Sequence, residues 1–297
     1  LDIGDFIGIK GKVFKTKTGE VTIKVNELCL LTKSLHPLPE KWHGLQDIEQ
    51  RYRQRYVDLI VNPEVKKLFE TRSKVISRIR KFLEEKGFIE VETPVLHVLQ
   101  GGAAAKPFKT HHNSLNMPLF LRIAPELYLK RLIVGGFEKV FEIGRVFRNE
   151  GMSFKHNPEY TMLEIYQAYA DYEDIMKLTE NLVIDLMSNV LGTLKVIYKA
   201  HEIDFSPPWK KIKLKDALKE FAGINIELSL EELRSVALDR GVDDVNLFGK
   251  GKLINELYDR FVEPHLIQPT IIYDYPLETS PLAKKKRNDP TLVERFE

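Results

Sequence analysis

The pattern of apolar and polar positions near the amino end of the chain predicts two β-strands. Phe6–Ile9 is a short apolar run around Gly8, Val21–Val25 alternates apolar and polar residues, and the polar segment between them ends in a turn at Gly19. Because two or three strands cannot bury a core alone, we interpret residues 1–33 as the last part of a small β-domain. Residues 34–61 follow as a linker, with prolines near its start and a dense run of arginine and tyrosine near its end.

A period near 3.6 in the apolar positions predicts several long helices. Asn62–Pro63 supplies a cap and a first-turn proline for the first of them, which we expect to stop at Gly87. Apolar positions in step mark two more helices, from about Pro125 to Gly135 and from Asp171 to Gly192. A capping box at Ser229–Glu232 opens a further one.

Two longer strands, Val140–Glu150 and Tyr160–Tyr169, are predicted on either side of a polar connection. Phe88–Glu92 and Pro269–Tyr275 are shorter strand candidates. Strands paired as hairpins, with long helices between them, predict an α+β fold with a largely antiparallel sheet. The strict alternation of strand and helix that marks a Rossmann fold is absent from the pattern.

Charged side chains share one face of the two longer strands. Side chains alternate between faces with a period of two, so Arg148 and Glu150 share a face on the first strand, as Glu164 and Tyr166 do on the second. One interpretation is a solvated face with cross-strand ion pairs. The other is a site for a charged ligand, which gains support from a lysine, a histidine and an asparagine at positions 155–157, since these suit contact with a polyanion.

Composition restricts the function further. Lys plus Arg total 45 against 43 Asp plus Glu, a formal net charge of +2, which excludes a histone-like polycation. Cys29 is the only cysteine, so neither an internal disulfide nor a cysteine-rich zinc site can form. Charged residues interrupt the most apolar stretch, Leu115–Phe137, and Leu1–Lys10 lacks the pattern of a signal peptide. These features predict a cytoplasmic protein that contacts no membrane.

Several segments carry a resemblance to a known family. FEIGRVFRNEG at 141–151, running on to HNPEYTMLE at 156–164, is similar to motif 2 of the class II aminoacyl-tRNA synthetases. GFIEVETP at 87–94 resembles the end of motif 1, a dimer-forming helix and strand that closes in proline. Five further segments narrow the resemblance from the class as a whole to its lysine-specific members: 51–56, 101–108, 122–128, 280–284 and 294–297. Over essentially its whole length, the chain resembles the class II lysyl-tRNA synthetases of bacteria.

This resemblance implies a domain organisation. Residues 1–33 would be the carboxyl-terminal part of an OB-fold anticodon-binding domain, residues 34–61 a linker, and residues 62–297 the catalytic domain. The fold would be the class II antiparallel sheet flanked by helices, preceded by the last strands of an OB-fold β-barrel. Motif 3 of the family, a glycine-rich strand and helix with an ATP-binding arginine, has no counterpart here, so we expect a synthetase truncated at both ends.

The resemblance also implies an ATP site at the end of the first long strand. Arg148, the motif 2 arginine, would bridge the amino-acid carboxylate and the α-phosphate, a task that suits a planar and always charged guanidinium. Glu150, His156 and Asn157 would line the nucleotide, and Tyr160 would stack on adenine. The alternatives are an ion pair of Arg148 with a strand glutamate, a solvated loop histidine and an aromatic core residue.

Lysine recognition, by the same resemblance, needs acceptors at both ends of the amino acid. Gly102 would let the backbone approach, Glu126 would take the α-ammonium, and Arg148 would hold the carboxylate. Glu164 and Tyr166 would meet the ε-ammonium. Glu126 has a second interpretation, because a carboxylate in the first turn of a helix is favourable in its own right.

The implied activity is ATP-dependent activation of L-lysine, followed by transfer to the 3′ end of tRNA(Lys). Glu297 resembles the magnesium-binding glutamate of the family, so Mg²⁺ is the expected cofactor, with ATP as a substrate. The family pairs as a homodimer through the region that corresponds to Val65–Pro94, which is therefore the expected dimer interface.

Three other functions compete with this one. A lysine ligase that acts on elongation factor P shares the catalytic core but lacks an OB domain, so the strands within residues 1–33 count against it. An aspartyl- or asparaginyl-tRNA synthetase would place a cation against the substrate side chain, whereas Glu126 and Glu164 favour an amine. The third is a catalytically incomplete fragment with an RNA-binding or regulatory role, which the lack of motif 3 favours.

Overall fold

The computed structural model describes residues 1–36, 38, 45–151, 153, 156–280 and 282–297. Part of the predicted linker, and position 155 of the polar connection, lie outside the described residues. The chain divides into two compact units, Leu1–Lys74 and Val75–Glu297. Each unit is described by itself below.

The first unit begins with an antiparallel hairpin. β1 (Phe6–Lys15) pairs with β2 (Val21–Thr32), and register shifts interrupt the ladder after Phe6 and after Lys10. Both strands run further than the sequence pattern predicted, because the residues beyond each predicted segment continue the ladder. Most of the apolar side chains are exposed, as at Phe6 with 70%. The ladder, rather than a core of its own, therefore holds this hairpin together.

Helices complete the first unit and lead into the second. They are α1 (Ile48–Arg53), α2 (Arg55–Val61) and α3 (Pro63–Glu85). Asp58 of α2 is fully buried, and it accepts hydrogen bonds from Arg51 Nε at 2.8 Å, from Asn62 Nδ2 at 2.7 Å and from Arg55. A buried carboxylate needs such partners, and this one ties α1 to α2.

The second unit contains the two longer strands that the sequence predicts. Its elements in chain order are β3 (Ile89–Glu90), β4 (Leu96–His97), β5 (Lys109–His112), β6 (Met117–Leu121), α4 (Glu126–Val134), β7 (Lys139–Phe147), β8 (Glu159–Gln167) and α5 (Tyr172–Leu186). β7 lies between β3 and β8, parallel to the first and antiparallel to the second. β6 lies between β4 and β5 and is antiparallel to both. The β7–β8 hairpin is thus the centre of one sheet.

One face of the β7–β8 hairpin packs on helices. Phe141 and the half-buried Ile165 join a cluster with Phe82 and Leu83 of α3 and Leu182 of α5. Full burial of a leucine or phenylalanine side chain stabilises a fold by about 1.5–3 kcal/mol. This cluster therefore commits one face of the hairpin to the helices, while the other face carries Glu142 and Glu164 beside the buried Val140 and Val146.

The remainder of the second unit forms a separate core. Its elements are β9 (Lys195–Tyr198), β10 (His201–Asp204), β11 (Lys210–Lys213), α6 (Leu214–Ala222), α7 (Leu230–Asp239), α8 (Lys250–Phe261), β12 (Thr270–Pro276), β13 (Lys285–Lys286) and β14 (Asp289–Phe296). The strand order is β11-β12-β14-β13, in which only the β11–β12 pair is parallel. Leu218, Leu233, Leu257, Ile272 and Tyr275 belong to the buried cluster between this sheet and α6 to α8.

The α+β class with largely antiparallel sheets is confirmed. The predicted helices are also present: α3 is followed by Gly87 with φ +79°, and the capping box at Ser229–Glu232 opens α7. The helix that begins after Asp171 ends at Leu186, and a π-helical turn continues it to the left-handed Gly192. Among the described residues, no helix combines the length and apolar character needed to cross a membrane.

The predicted strand Val140–Glu150 is too long by three residues and ends at Phe147. Asn149 N donates a hydrogen bond to Lys106 O at 2.7 Å instead of to the neighbouring strand, so the backbone has left the ladder. The second strand ends at Gln167, before Tyr169, whose φ is +58°. A left-handed backbone does not continue a strand.

Candidate active site

The register of the β7–β8 hairpin sets the geometry of the candidate site. It pairs Glu142 with Glu164 and Val146 with Tyr160. Directly paired side chains of antiparallel strands lie on the same face, so the even-numbered positions form one face. The odd-numbered positions form the face that packs on α3 and α5. The alternation expected from the sequence is therefore confirmed.

Arg148 and Glu150 continue this face from beyond the strand rather than from within it. Arg148 N still donates a hydrogen bond to Pro158 O at 2.8 Å, which keeps the two chains side by side. One residue later the backbone turns away from β8. The two side chains therefore stand where the hairpin opens, which is a position suited to a ligand.

A cleft of about 390 Å³ lies at this open end of the hairpin. All the residues expected to contact ATP line it: Arg148, Glu150, His156, Asn157 and Tyr160. The Arg148 guanidinium lies over the Tyr160 ring, with Cζ 5.5 Å from the ring centroid. None of the ion pairs among the described residues joins Arg148 to a strand glutamate, so its charge is available for an anion.

An adjoining cleft of about 620 Å³ shares Glu150 and Gly151 with the first. Its other wall is the segment that precedes β5, including Gln100 and residues 103–106. The alanine-rich segment that narrowed the family resemblance thus lies against the open end of the β7–β8 hairpin.

The side chain of His156 lies at the rim of the first cleft. Ser153 and His156 exchange backbone hydrogen bonds of 3.1 Å, and Ser153 Oγ lies 2.7 Å from His156 Nδ1. The histidine side chain is exposed. This geometry fits a loop histidine that orders the connection, and it also fits a ring that a phosphate could reach.

Glu164 and Tyr166 point the same way from β8, as their spacing predicts. The Tyr166 hydroxyl donates a hydrogen bond to Glu164 Oε2 at 3.1 Å. Burial is the main cause that raises the pKa of the Glu164 carboxyl, and the negative charges of Glu126 and Glu142 add to it, against the opposing effects of Tyr166 and Arg122. An ammonium group placed here would offset that accumulated negative charge.

Burial also raises the pKa of Tyr166, and the adjacent Glu164 charge raises it further. The phenol therefore stays protonated at neutral pH and orients the carboxylate by donating to it. Its oxygen keeps lone pairs that can accept a hydrogen bond from an ammonium group.

Gly102 and Glu126 meet at the start of α4. Gly102 has φ +90°, and a Cβ at this position would lie 3.1 Å from Cβ of both Ala124 and Glu126. Glu126 is the first residue of α4, and its Oε1 accepts a hydrogen bond from Lys130 Nζ at 2.5 Å. Glu126 is thus a first-turn carboxylate with an ion pair, and its charge also acts on Glu164. Its contact with an α-ammonium stays a prediction.

Sequence analysis missed a buried ion pair on the same face. Arg122 and Glu142 are each 3% exposed, and Arg122 Nη1 donates to Glu142 Oε1. Thr93 Oγ1 donates to Glu142 Oε2 at 2.7 Å, while Arg122 also donates to the backbone oxygens of Arg145 at 2.8 Å and Thr93 at 3.3 Å. The sequence signal that could have revealed this pair is the position of Arg122 among apolar residues. Such a position predicts a buried guanidinium, which needs a carboxylate partner.

Glu297, the expected magnesium ligand, follows β14. The Tyr275 hydroxyl donates to Glu297 Oε2 at 3.2 Å, and Arg295 forms an ion pair with the same carboxylate. Within the described part of the chain, no group of three or more His, Cys, Asp or Glu side chains could hold a metal ion. Magnesium bound through one or two carboxylates and substrate phosphates needs no such group, so the role of Glu297 stays a prediction.

The fold and the site together correspond to a known class. The family model of class II tRNA synthetases (D, K and N) matches residues 47–297. The chain therefore belongs to this family of class II tRNA synthetases.

Curated relatives point to one member of the class. The chain is 57% identical over 303 residues to the lysine–tRNA ligase of Pelotomaculum thermopropionicum, 55% over 298 residues to that of Bacillus subtilis, and 54% over 299 residues to that of Moorella thermoacetica. Each comparison covers 100% of this chain and 60% or 61% of the relative. The chain thus spans about 60% of the length of the curated relatives it matches.

We expect Glu164→Gln to raise the free energy of unfolding at neutral pH. A carboxyl whose pKa is raised by folding binds more protons when folded, so stability falls as the pH rises from the ordinary glutamate pKa to the raised one. The gain should vanish below the ordinary pKa, where both states are protonated. Urea unfolding over a range of pH checks this, with the exposed Glu159→Gln on the same strand as a control. A gain independent of pH would contradict the assigned cause.

Proposed function

We propose that this protein is a lysine–tRNA ligase, which activates L-lysine with ATP and transfers it to the 3′ end of tRNA(Lys). The observation that carries the proposal is a single sheet face that holds both candidate sites. One end of that face carries Arg148 at a cleft, and further along β8 it carries Glu164, a partly buried carboxylate outside every ion pair of the described residues. The family match and the names of the relatives support the same function.

The activation step joins the lysine carboxylate to the α-phosphorus of ATP. A carboxylate oxygen attacks in line, the bond from the α-phosphorus to the bridging oxygen breaks, and pyrophosphate leaves with the electron pair. Arg148 would hold oxygens of both reactants and offset the charge that develops between them. A ribose hydroxyl of the terminal tRNA nucleotide then takes the lysyl group, and AMP leaves. Positioning and electrostatics account for the protein's contribution, since no protein nucleophile is required.

The amino acid would lie along the even-numbered face, with its carboxylate toward Arg148. Glu126 would accept from the α-ammonium where Gly102 brings the backbone close. Glu164, oriented by Tyr166, would accept from the ε-ammonium. Because this pocket is acidic at both ends, it suits a diamine carboxylate better than the carboxylate or amide side chain of aspartate or asparagine.

The nucleotide would occupy the cleft at the open end of the hairpin. Tyr160 offers its ring to the adenine, while Glu150, His156 and Asn157 line the walls. Glu297 would supply one of the oxygen ligands to Mg²⁺, which, when bound, supplies positive charge to the phosphates.

Two further proposals concern organisation. We infer the domains expected from the sequence: an OB-fold part at residues 1–33, a linker at 34–61 and a catalytic domain at 62–297, in a cytoplasmic protein. We also infer a homodimer through the region Val65–Pro94. Leu68 is 66% exposed, Phe69 42% and Ile89 51%, and apolar side chains this open suit an interface.

Pyrophosphate exchange tests the function directly. The full-length protein should incorporate labelled pyrophosphate into ATP only when L-lysine and magnesium are both present. Lysine-dependent exchange without transfer to tRNA(Lys), but with transfer to elongation factor P, would support the protein-modifying ligase instead. Binding of RNA without any exchange would support a non-catalytic role and contradict the proposal.

We expect Arg148→Ala to abolish adenylate formation while leaving the fold intact. The guanidinium stands at a cleft and makes no ion pair among the described residues, so its loss removes little from the core. Loss of a positioned charge at a developing oxyanion costs about 3–4 kcal/mol, or roughly 10²–10³ in rate. The exchange rate and the circular dichroism spectrum check this. Arg145→Ala, an exposed arginine of the same strand, is the control and should exchange normally.

Glu164→Gln should weaken lysine binding far more than ATP binding. The amide keeps the shape and the contact with Tyr166 but removes the charge that pairs with the ε-ammonium. Sites built on such polar pairing discriminate by roughly 10⁴ or more against substrates that lack the group. The KM values for lysine and ATP, and the relative rates with norleucine and methionine, measure the effect against Glu159→Gln. If selectivity and the lysine KM both survived, Glu164 would be a structural carboxylate.

We expect the protein to be a homodimer at micromolar concentration. Leu68→Glu places a charge on the exposed apolar part of α3 and should yield a monomer, because an unpaired carboxylate cannot be buried in an interface without a large cost. Lys66→Glu, an exposed position two residues away and on nearly the opposite side of the helix, is the matched control and should remain dimeric. Light scattering reads out the mass; a monomeric unmodified protein would refute the interface.

A further inference from the structure

Two carboxylates face each other on the β7–β8 hairpin, but only one of them is satisfied. Glu142 and Glu164 are direct partners in the ladder, so their side chains lie on the same face. Glu142 accepts from Arg122 Nη1 and from Thr93 Oγ1. Among the described residues, the hydrogen bond that Glu164 accepts is the one from the Tyr166 hydroxyl, at 3.1 Å. The two carboxylates therefore differ in their partners, although they are chemically identical.

The Arg122 guanidinium is held in a fixed position. Its Nε donates to Arg145 O at 2.8 Å, and its Nη1 contacts Thr93 O at 3.3 Å and Thr93 Oγ1 at 3.2 Å besides Glu142. A Cβ at Gly144, which follows Glu142 by two residues and shares its face, would clash with Arg122 Nη2. The guanidinium thus fills the space that a side chain at position 144 would take.

Like charges directly opposite each other in a sheet repel, and two carboxylates that share a low-dielectric site tend to share a proton. Without a cation, the Glu142 charge would favour the protonated, neutral form of Glu164. A neutral Glu164 would bind a substrate ammonium poorly. Arg122 is the positive group, among the described residues, that forms an ion pair with Glu142.

We propose that Arg122 is a positioning residue for the amine pocket: by pairing with Glu142, it keeps Glu164 ionised and free to accept the substrate ammonium. The proposal rests on the proposed function for the identity of the amine. Arg122 itself is 3% exposed and does not touch the substrate in this scheme.

The groups that act on Glu164 set the expected direction of each change. Burial, Glu126 and Glu142 raise its pKa, while Tyr166 and Arg122 lower it. Removing the charge of Arg122 therefore moves the titration of Glu164 to higher pH, and removing the charge of Glu142 moves it to lower pH. A purely structural ion pair would produce neither opposed shift.

The first measurement is the titration of the Glu164 side-chain carboxyl by ¹³C NMR, assigned by comparison with Glu164→Gln. Arg122→Gln should raise the midpoint, Glu142→Gln should lower it, and Arg122→Lys should leave it near the original value. The double variant Arg122→Gln/Glu142→Gln should fall between the two single variants. This readout needs no catalysis, so it separates this proposal from the proposed function.

The second measurement is the lysine KM in pyrophosphate exchange by the full-length protein. At a pH below the Glu164 midpoint, Arg122→Gln should raise the lysine KM by up to about tenfold for a rise of about one pH unit in that midpoint, with the ATP KM little changed. Adding Glu142→Gln to the same protein should restore most of the affinity for lysine. If Arg122→Gln does not fold, two other variants test the proposal. Glu142→Gln should still lower the Glu164 midpoint, and Arg122→Lys should still bind lysine as the unmodified protein does.

Opposite outcomes overturn the inference. Identical Glu164 midpoints in the two single variants, or equal losses of lysine and ATP affinity without restoration by the double variant, would make the Arg122–Glu142 pair a structural feature only. An unmodified protein without lysine-dependent exchange would instead overturn the proposed function and leave the NMR test standing.

Discussion

Electrostatic repulsion between two carboxylates is the constraint on which the site depends. Glu142 and Glu164 occupy paired positions of the β7–β8 ladder, where both charges would be costly. The two carboxylates have different partners. Arg122 and Thr93 donate to Glu142, whereas the donor to Glu164 in the described part of the chain is the neutral hydroxyl of Tyr166. One carboxylate is thereby built into the protein and the other remains open to a ligand. The proposed preference of the pocket for an amine rests on this asymmetry.

Local patterns were enough to predict the scaffold and the outward-facing residues. Pro63 opens α3, Gly87 and Gly192 follow helical segments in left-handed conformations, and the capping box at Ser229–Glu232 is present. These features depend on a few adjacent residues, so the sequence alone reveals them. The period of two on β8 likewise predicted that Glu164 would share a face with its neighbour two residues on, because strand geometry leaves no alternative.

Long-range partners could not be predicted in the same way. Arg122 and Glu142 are 20 residues apart and Thr93 and Glu142 are 49 apart, so no local rule pairs them. The end of β7 at Phe147 has a similar cause, since its backbone is diverted by a hydrogen bond to a segment far away in sequence. Secondary structure follows from near neighbours, whereas the electrostatic state of a site depends on which distant chains the fold brings together.

The paired faces of β7 and β8 also restrict how the chain can change in length. One residue inserted into either strand would exchange its two faces, sending charged side chains toward α3 and α5 and apolar ones toward the substrates. The connection after Gly151 has no such restriction, because the hydrogen bond from Arg148 N to Pro158 O closes the hairpin before it begins. Within this hairpin, insertions and deletions that keep the fold are therefore confined to the turn. Variation in length there would reshape the cleft at the open end of the hairpin without changing the register that pairs Glu142 with Glu164, so the two candidate sites of this face can vary separately.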